Sequence, residues 1–292
     1  MFKQVGIVGT GTLGTGIAQL AVLAKIDVQL YDVNDTLLRR STVRINTNLR
    51  KMVNLGSLTS DELQAAMDRI RTRTSLPDLG SCDLIIESVT EDIRVKRDIF
   101  KHLDVSTKST AILASTTSSL SITSVGAHTL NPERIAGVHF FHPIETSPLV
   151  EVVKAYKTTS ETIEKIMAFV QVLGKKPIVV KDTPGFIANR ISQPLNSEAL
   201  RLLGENVAQA EQIDRIVKSI GGFLSGPFET MDQIGIDTIL AEMQSLYEQS
   251  YGEPRLRPHP ILKQMVDSGW LGKKTNMGFY NYQEPKNNSV NN

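Results

Sequence analysis

The chain has 292 residues, of which 40% are hydrophobic and 22% charged, with a net charge of +1. That length is enough for one large or two modest domains with a sizeable core, and balanced charge with only 5% aromatic residues excludes a basic nucleic-acid-binding protein. A single cysteine, Cys82, excludes an internal disulfide framework and fits a small buried hydrophobe in a reducing compartment.

The N-terminus "MFKQVGIVG" goes straight into a strand without a signal-peptide pattern. No apolar run reaches membrane-spanning length, so the expected address is the cytoplasm, with neither membrane nor nucleic acid as partner. "QVGIV" (4–8) reads as a strand, "LGTGIAQLAVLAK" (13–25) as a helix and "DVQLYD" (27–32) as a second strand. From Asn34 to about Arg71 apolar residues recur at helical spacing (Leu38, Val43, Ile45, Leu49, Met52), broken at "NLGSLTSDE", where Thr59 and Glu62 suit a capping box. This predicts a helical hairpin inserted into the repeat. The alternation then resumes with "DLIIESV" as strand, "EDIRVKRDIFKHL" as helix and "TAILAST" as strand. Strand, helix, strand in series implies parallel pairing through crossover helices. Beyond "IVVKDTPGFIANRI" only helical periodicity remains. The expected fold is therefore α/β: an N-terminal Rossmann-type doubly wound sheet over 1–185, carrying the hairpin insertion, then a mostly α domain over 186–282. The polar tail 283–292 is expected to be flexible.

"GIVGTGTLGTGIA" places Gly9, Gly11 and Gly14 in the order G-x-G-x-x-G, after a strand and at the start of a helix. Gly9 suits the tight turn, Gly11 close approach of a pyrophosphate and Gly14 close packing of helix on strand, with the unpaired N–H groups around Thr12 and Leu13 facing the phosphates. Asp32 ends the second strand 18 residues past Gly14, where a carboxylate would hold a ribose 2′-hydroxyl and repel a 2′-phosphate. The cofactor expected is NAD, and no metal is called for.

A nicotinamide enzyme that oxidises an alcohol needs a group to take the hydroxyl proton, and histidine beside a carboxylate suits that task. "GVHFFHPIETSPLVEVV" (137–153) offers His139 at the end of the strand "RIAGVHF" and Glu151 at the start of "VEVV". Alone, a histidine on an apolar strand is more often a satisfied core residue; a dinucleotide cradle upstream reverses that reading.

Taken together, "GTGTLGTGIAQ", "ESVTEDIRVKRDIF", "TAILASTTSSLSIT", "HFFHP", "PLVEVVK", "KDTPGFIANRI", "GPFETMDQIGID" and "GWLGKKTNMGFYNY" resemble the L-3-hydroxyacyl-CoA dehydrogenase family over nearly the whole chain. The resemblance implies NAD-dependent interconversion of (S)-3-hydroxyacyl-CoA and 3-ketoacyl-CoA of short chain, within fatty-acid metabolism. It implies His139 as general base, Glu151 as its partner, and Ser118 and Asn189 as contacts around the reacting carbon. It also implies Glu91, Lys96, Ser118, His142 and Lys274 as cofactor contacts, and Lys51 with Ser118 as contacts to an acyl-CoA substrate. A homodimer formed through the second domain follows from the same resemblance. Taken alone, Lys96 could as easily be a solvated helix charge and Glu91 a first-turn residue favoured by the helix dipole.

Four departures from the family pattern lie near the chemistry. Thr116 stands for an asparagine in "STTSS", and His142 for another in "HFFHP". The loop reads "PIETSPLVE", adding Glu145, and "NLGS" (54–57) replaces lysines that reach CoA phosphates, although Arg50 and Lys51 remain. An alternative is thereby kept open: a dehydrogenase of a small free 3-hydroxy acid, resembling L-gulonate 3-dehydrogenase or L-carnitine dehydrogenase. A third, non-enzymatic cofactor-binding protein is disfavoured by the intact His139, Glu151, Ser118 and Asn189.

Overall fold

The structure is a computed structural model and describes residues 2–283; the tail expected to be flexible lies, beyond Gln283, outside the described residues. Contacts divide the chain into two compact units after Phe186.

The first unit is built on eight strands: β1 (Gln4–Val8), β2 (Asp27–Tyr31), β3 (Ile70–Arg73), β4 (Leu84–Glu87), β5 (Ile112–Ser115), β6 (Ile135–Phe140), β7 (Leu149–Lys154) and β8 (Lys176–Lys181). Their order in the sheet is β3-β2-β1-β4-β5-β6-β7-β8. All neighbours run parallel except β6 and β7. β4, β5 and β6 are buried along their whole length, as expected for strands covered on both faces. The covering helices include α1 (Thr12–Leu23), α4 (Ile93–Ser106), α5 (Ile122–Gly126) and α6 (Ser160–Val172). The order of strands reverses between β1 and β4, and ligands of such sheets bind beside the carboxyl ends at that reversal.

The inserted hairpin is present as α2 (Asp35–Asn54) and α3 (Ser60–Met67). α2 buries Leu38, Ser41, Ile45 and Leu49 on one face, and α3 opens with the Thr59–Glu62 capping box in both directions. The helical region ends sooner than the spacing predicted. Ile70–Arg73 is not helix but β3, an edge strand parallel to β2. Its only buried residue is Ile70, so "IRTR" carries almost no period-two signal.

The second unit is helical: α7 (Ala188–Gly204), α8 (Ala210–Gly221), α9 (Pro227–Ile234), α10 (Ile236–Gln249) and α11 (Pro260–Asp267). Leu200, Phe228, Met231, Ile236, Met243 and Leu262 form its core. Two buried carboxylates organise it. Asp214 accepts from Phe228 N, Glu229 N and the Tyr280 hydroxyl at 2.8–2.9 Å. Asp232 accepts from Phe279 N, Tyr280 N and the Tyr282 hydroxyl at 2.9–3.0 Å. Each meets three donors, which offsets the cost of burying a charge. Asp232 of "GPFETMDQ" accepts from "GFYNY", and Asp214 of α8 accepts from both segments, so these contacts tie the two motifs together.

Candidate active site

The phosphate cradle has the geometry that its glycines require. Gly9 has φ +97°, a conformation L side chains rarely adopt. A Cβ on Gly14 would sit 2.0 Å from the Gly9 carbonyl oxygen, so only glycine lets α1 start this close to β1. Around a Cβ on Gly11, by contrast, nothing lies within 4 Å. The turn therefore leaves an open cradle at the N-terminus of α1, of the kind a diphosphate fills. Thr10 N and Thr10 Oγ1 both donate to one oxygen of Asp32, at 2.9 and 2.7 Å, which orients the carboxylate at the end of β2. Thr12 opens α1, and from α2 the guanidinium of Arg44 donates to its hydroxyl at 3.3 Å. Leu13 packs on the core beneath.

Three strands along, the antiparallel register of β6 and β7 sets His139 directly opposite Glu151. His139 Nδ1 and Glu151 Oε2 are 2.7 Å apart, and both residues are buried. An ionised carboxylate only accepts, so the bond requires the proton on Nδ1 and leaves Nε2 with its lone pair. The rings of Phe141 and Phe186 flank the imidazole, with centroids 4.7 and 5.8 Å away. A basic nitrogen held in an apolar setting, with its other nitrogen fixed, is the arrangement a general base needs.

Between cradle and base lies a network that the sequence did not reveal. Glu87, fully buried at the end of β4, accepts from the Lys96 ammonium at 2.7 Å, from Val89 N at 2.7 Å and from Ser115 Oγ at 2.6 Å. Lys96 also pairs with Glu91 at 3.3 Å. Glu91 in turn accepts from Thr117 Oγ1 and from Ser119 Oγ and N. Burial works against ionisation of Glu91, but the Lys96 ammonium and the Thr117 and Ser119 donors outweigh it and hold the carboxyl below its ordinary range. The loop 116–120, which carries Ser118, is thus wound around a carboxylate anchored by a buried lysine. Lys96 is no solvated helix charge, since only 1% of its side chain is exposed. Glu91 is not in the first turn of α4 either, because Asp92 is that helix's N-cap.

His142 is exposed on the loop after β6, and Lys51 is exposed in the last turn of α2. Asn189, half-buried, is the second residue of α7, and Lys274 forms an ion pair with Asp237; both belong to the second unit.

Residues 4–183 match the family described as "3-hydroxyacyl-CoA dehydrogenase, NAD binding domain", and residues 185–282 match "3-hydroxyacyl-CoA dehydrogenase, C-terminal domain". The chain belongs to the 3-hydroxyacyl-CoA dehydrogenase family. It is an NAD-dependent oxidoreductase of that class, and NAD is its cofactor. A 3-hydroxybutyryl-CoA dehydrogenase of Bradyrhizobium diazoefficiens is 42% identical over 286 residues, covering 98% of this chain and 97% of the relative. The crystal structure of (S)-3-hydroxybutyryl-CoA dehydrogenase from Ralstonia eutropha is similar with a TM-score of 0.93 at 37% identity, covering 97% of this chain and 100% of that one. A diketoreductase described as acting on dicarbonyl compounds is similar with a TM-score of 0.83 at 28% identity, covering 96% and 99%. The open space at Gly11, the N–H donors at the N-terminus of α1 and the fixed Asp32 carboxylate, an acceptor for a ribose hydroxyl, together fit NAD. No helix among the described residues is long and apolar enough to cross a membrane.

Proposed function

We propose that this dehydrogenase interconverts short-chain (S)-3-hydroxyacyl-CoA and 3-ketoacyl-CoA, with 3-hydroxybutyryl-CoA and acetoacetyl-CoA as the pair it handles best. The buried His139–Glu151 pair supports this reading most directly. In the oxidative direction His139 Nε2 accepts the proton of the 3-hydroxyl, while Nδ1–H stays on Glu151 and the carboxylate stabilises the imidazolium that forms. NAD, held by the Gly9–Gly14 cradle and Asp32, would supply the acceptor for the hydride that leaves C3. Ser118, presented by the loop wound around Glu91, donates to the 3-oxygen as it gains negative charge. Asn189 orients the thioester carbonyl with its side-chain amide. Glu91 and Lys96 serve the cofactor through the network they share, with His142 and Lys274 as further cofactor contacts and Lys51 as a contact to the CoA phosphates.

The first unit carries the dinucleotide cradle, and the second serves substrate binding and dimerisation. Ile216, Ile220 and Leu224 leave apolar side chains in solvent on and just after α8. A second copy would cover such a surface, and sedimentation of the purified protein distinguishes dimer from monomer. The cytoplasm is the compartment that fits a single buried cysteine.

One observation favours a second reading, in which a free 3-hydroxy acid without CoA is the substrate: "NLGS" lacks the lysines that the family uses on CoA phosphates. The deciding experiment compares NADH oxidation with acetoacetyl-CoA and with free 3-keto acids. Turnover of the thioester, with free CoA competing, supports the first reading. Turnover of the free acid alone replaces it with the second.

A further inference from the structure

Lys175 precedes β8 and lies in none of the motifs above, yet it is 8% exposed. Its ammonium donates to three main-chain carbonyls: Ile144 O at 2.7 Å, Glu145 O at 3.1 Å and Ser147 O at 2.8 Å. An ammonium has three protons, so its entire donor capacity goes into one short loop. That loop, 141–148, joins the strand of His139 to the strand of Glu151. Its main-chain bonds include two turns, Thr146 N and Ser147 N to Pro143 O, and one from Lys176 N to Pro148 O at its end. Carbonyl groups turned inward need donors, and here one side chain supplies them. Burial lowers the pKa of Lys175 from its ordinary value, with the nearby Glu145 charge opposing the effect.

The same loop touches both halves of the chemistry. Phe141 lays its ring against His139 at 4.7 Å. Ile144 is buried against α1, so tightly that a Cβ on Gly16 would come within 2.5 Å of its Cγ2. One end of the loop therefore confines the imidazole, the middle rests on the helix that opens at the phosphate cradle, and Lys175 grips the part between.

We propose that Lys175 is a positioning residue for this dehydrogenase: by gathering three loop carbonyls it holds Phe141 against His139 and seats Ile144 on α1, and so fixes the base relative to the cofactor helix. The proposal rests on the reading of His139 as general base. Lys175 acts only through the loop. A planar guanidinium cannot converge on three carbonyls as an ammonium does, so arginine is not an equivalent.

Lys175→Met keeps the length of the stem and removes all three donors. Assayed well below its melting temperature, it is expected to lose about 10- to 100-fold in kcat, the scale of a misplacement near 1 Å. In cofactor-free protein labelled with 15N-histidine, the ring signals of His139, assigned through His139→Gln, should shift or broaden. Lys175→Cys alkylated with 2-bromoethylamine rebuilds an ammonium at lysine length and should restore most of kcat, whereas carboxamidomethylation should not. Cys82 does not interfere, because it is fully buried and its thiol is pushed up to about 12. A Lys175→Met enzyme with unchanged kcat and unchanged His139 signals overturns the proposal, whatever its melting temperature, and makes Lys175 a fold staple only. If the wild type turns over no 3-hydroxyacyl-CoA, the functional reading fails separately, and the His139 signals alone decide for or against Lys175.

Discussion

Replacing Glu151 by Gln removes one charge from the buried pair and almost no volume. With the new amide oxygen facing His139, Nδ1–H still has an acceptor, but a neutral one. A hydrogen bond to a charged group contributes about 1.5–3 kcal/mol and a neutral one about 0.5–1.5 kcal/mol, so the imidazolium loses roughly 1–2 kcal/mol. That corresponds to a fall in kcat of about 5- to 30-fold. The pair is 2.7 Å apart and its members are 7% and 2% exposed, so little solvent is at hand to replace the lost charge. If the amide NH2 faces the ring instead, it donates to Nδ1 and leaves the proton on Nε2, the nitrogen that must accept. The loss then approaches about 10⁴-fold, the scale known for the corresponding change in serine-protease triads. Following NADH consumption with acetoacetyl-CoA gives kcat, and quenching titrations should give a nearly unchanged NADH affinity. The decisive comparison is the double variant. A carboxylate that acts only through the imidazole has nothing left to support in His139→Gln, so adding Glu151→Gln there should cost almost nothing. Equal losses in both backgrounds, or wild-type kcat in the single variant, would refute the coupling.

Gly11→Ala should leave the melting temperature of the cofactor-free protein unchanged, since its Cβ meets nothing within 4 Å, yet greatly weaken NADH binding by filling the cradle; a large stability loss with intact binding contradicts that account. Asp32→Ala should narrow the preference for NADH over NADPH by weakening NADH, as measured by kcat/KM for the two cofactors. Lys96→Met strands the Glu87 carboxylate in the interior and should destabilise the protein by about 3–5 kcal/mol in urea unfolding. Combining it with Glu87→Gln should recover much of that loss, and failure to do so would mean that lysine packing, not charge, is what matters.

Much of this molecule is written in local sequence patterns. Glycine spacing, strand runs and the Thr59–Glu62 cap are short-range signals, and the structure follows each of them closely. The His139–Glu151 contact was legible for a related reason: both lie on strands long and apolar enough to identify, joined by one short loop. β3 was not, because an edge strand with one buried residue has no alternation to read. Nor was the role of Glu87 or Lys175. A carboxylate closing the apolar run "LIIE" and a lysine after Gly174 look the same in sequence whether they end in solvent or inside. What decides is which groups converge on them from elsewhere: Lys96 and Ser115 on Glu87, the carbonyls at 144–147 around Lys175. Those contacts belong to the tertiary structure and leave no periodic trace.

Among the described residues β6 and β7 are the one antiparallel neighbour pair in an otherwise parallel sheet, and this bears on how the protein can diverge. A hairpin ladder is a ruler: its rungs hold His139 and Glu151 abreast regardless of what is spelled at the bend. A slip by one residue would turn one of the two side chains to the opposite face, so the ladder tolerates no drift in alignment. The bend is held by Lys175 through main-chain carbonyls, which constrain its path more than its side chains. Residues can be exchanged there, as "PIETSP" has been, while the proton-transfer pair keeps its spacing. Such a layout separates the pair that moves the proton from the bend that joins its two strands, so the bend can change in sequence without altering the spacing of the pair.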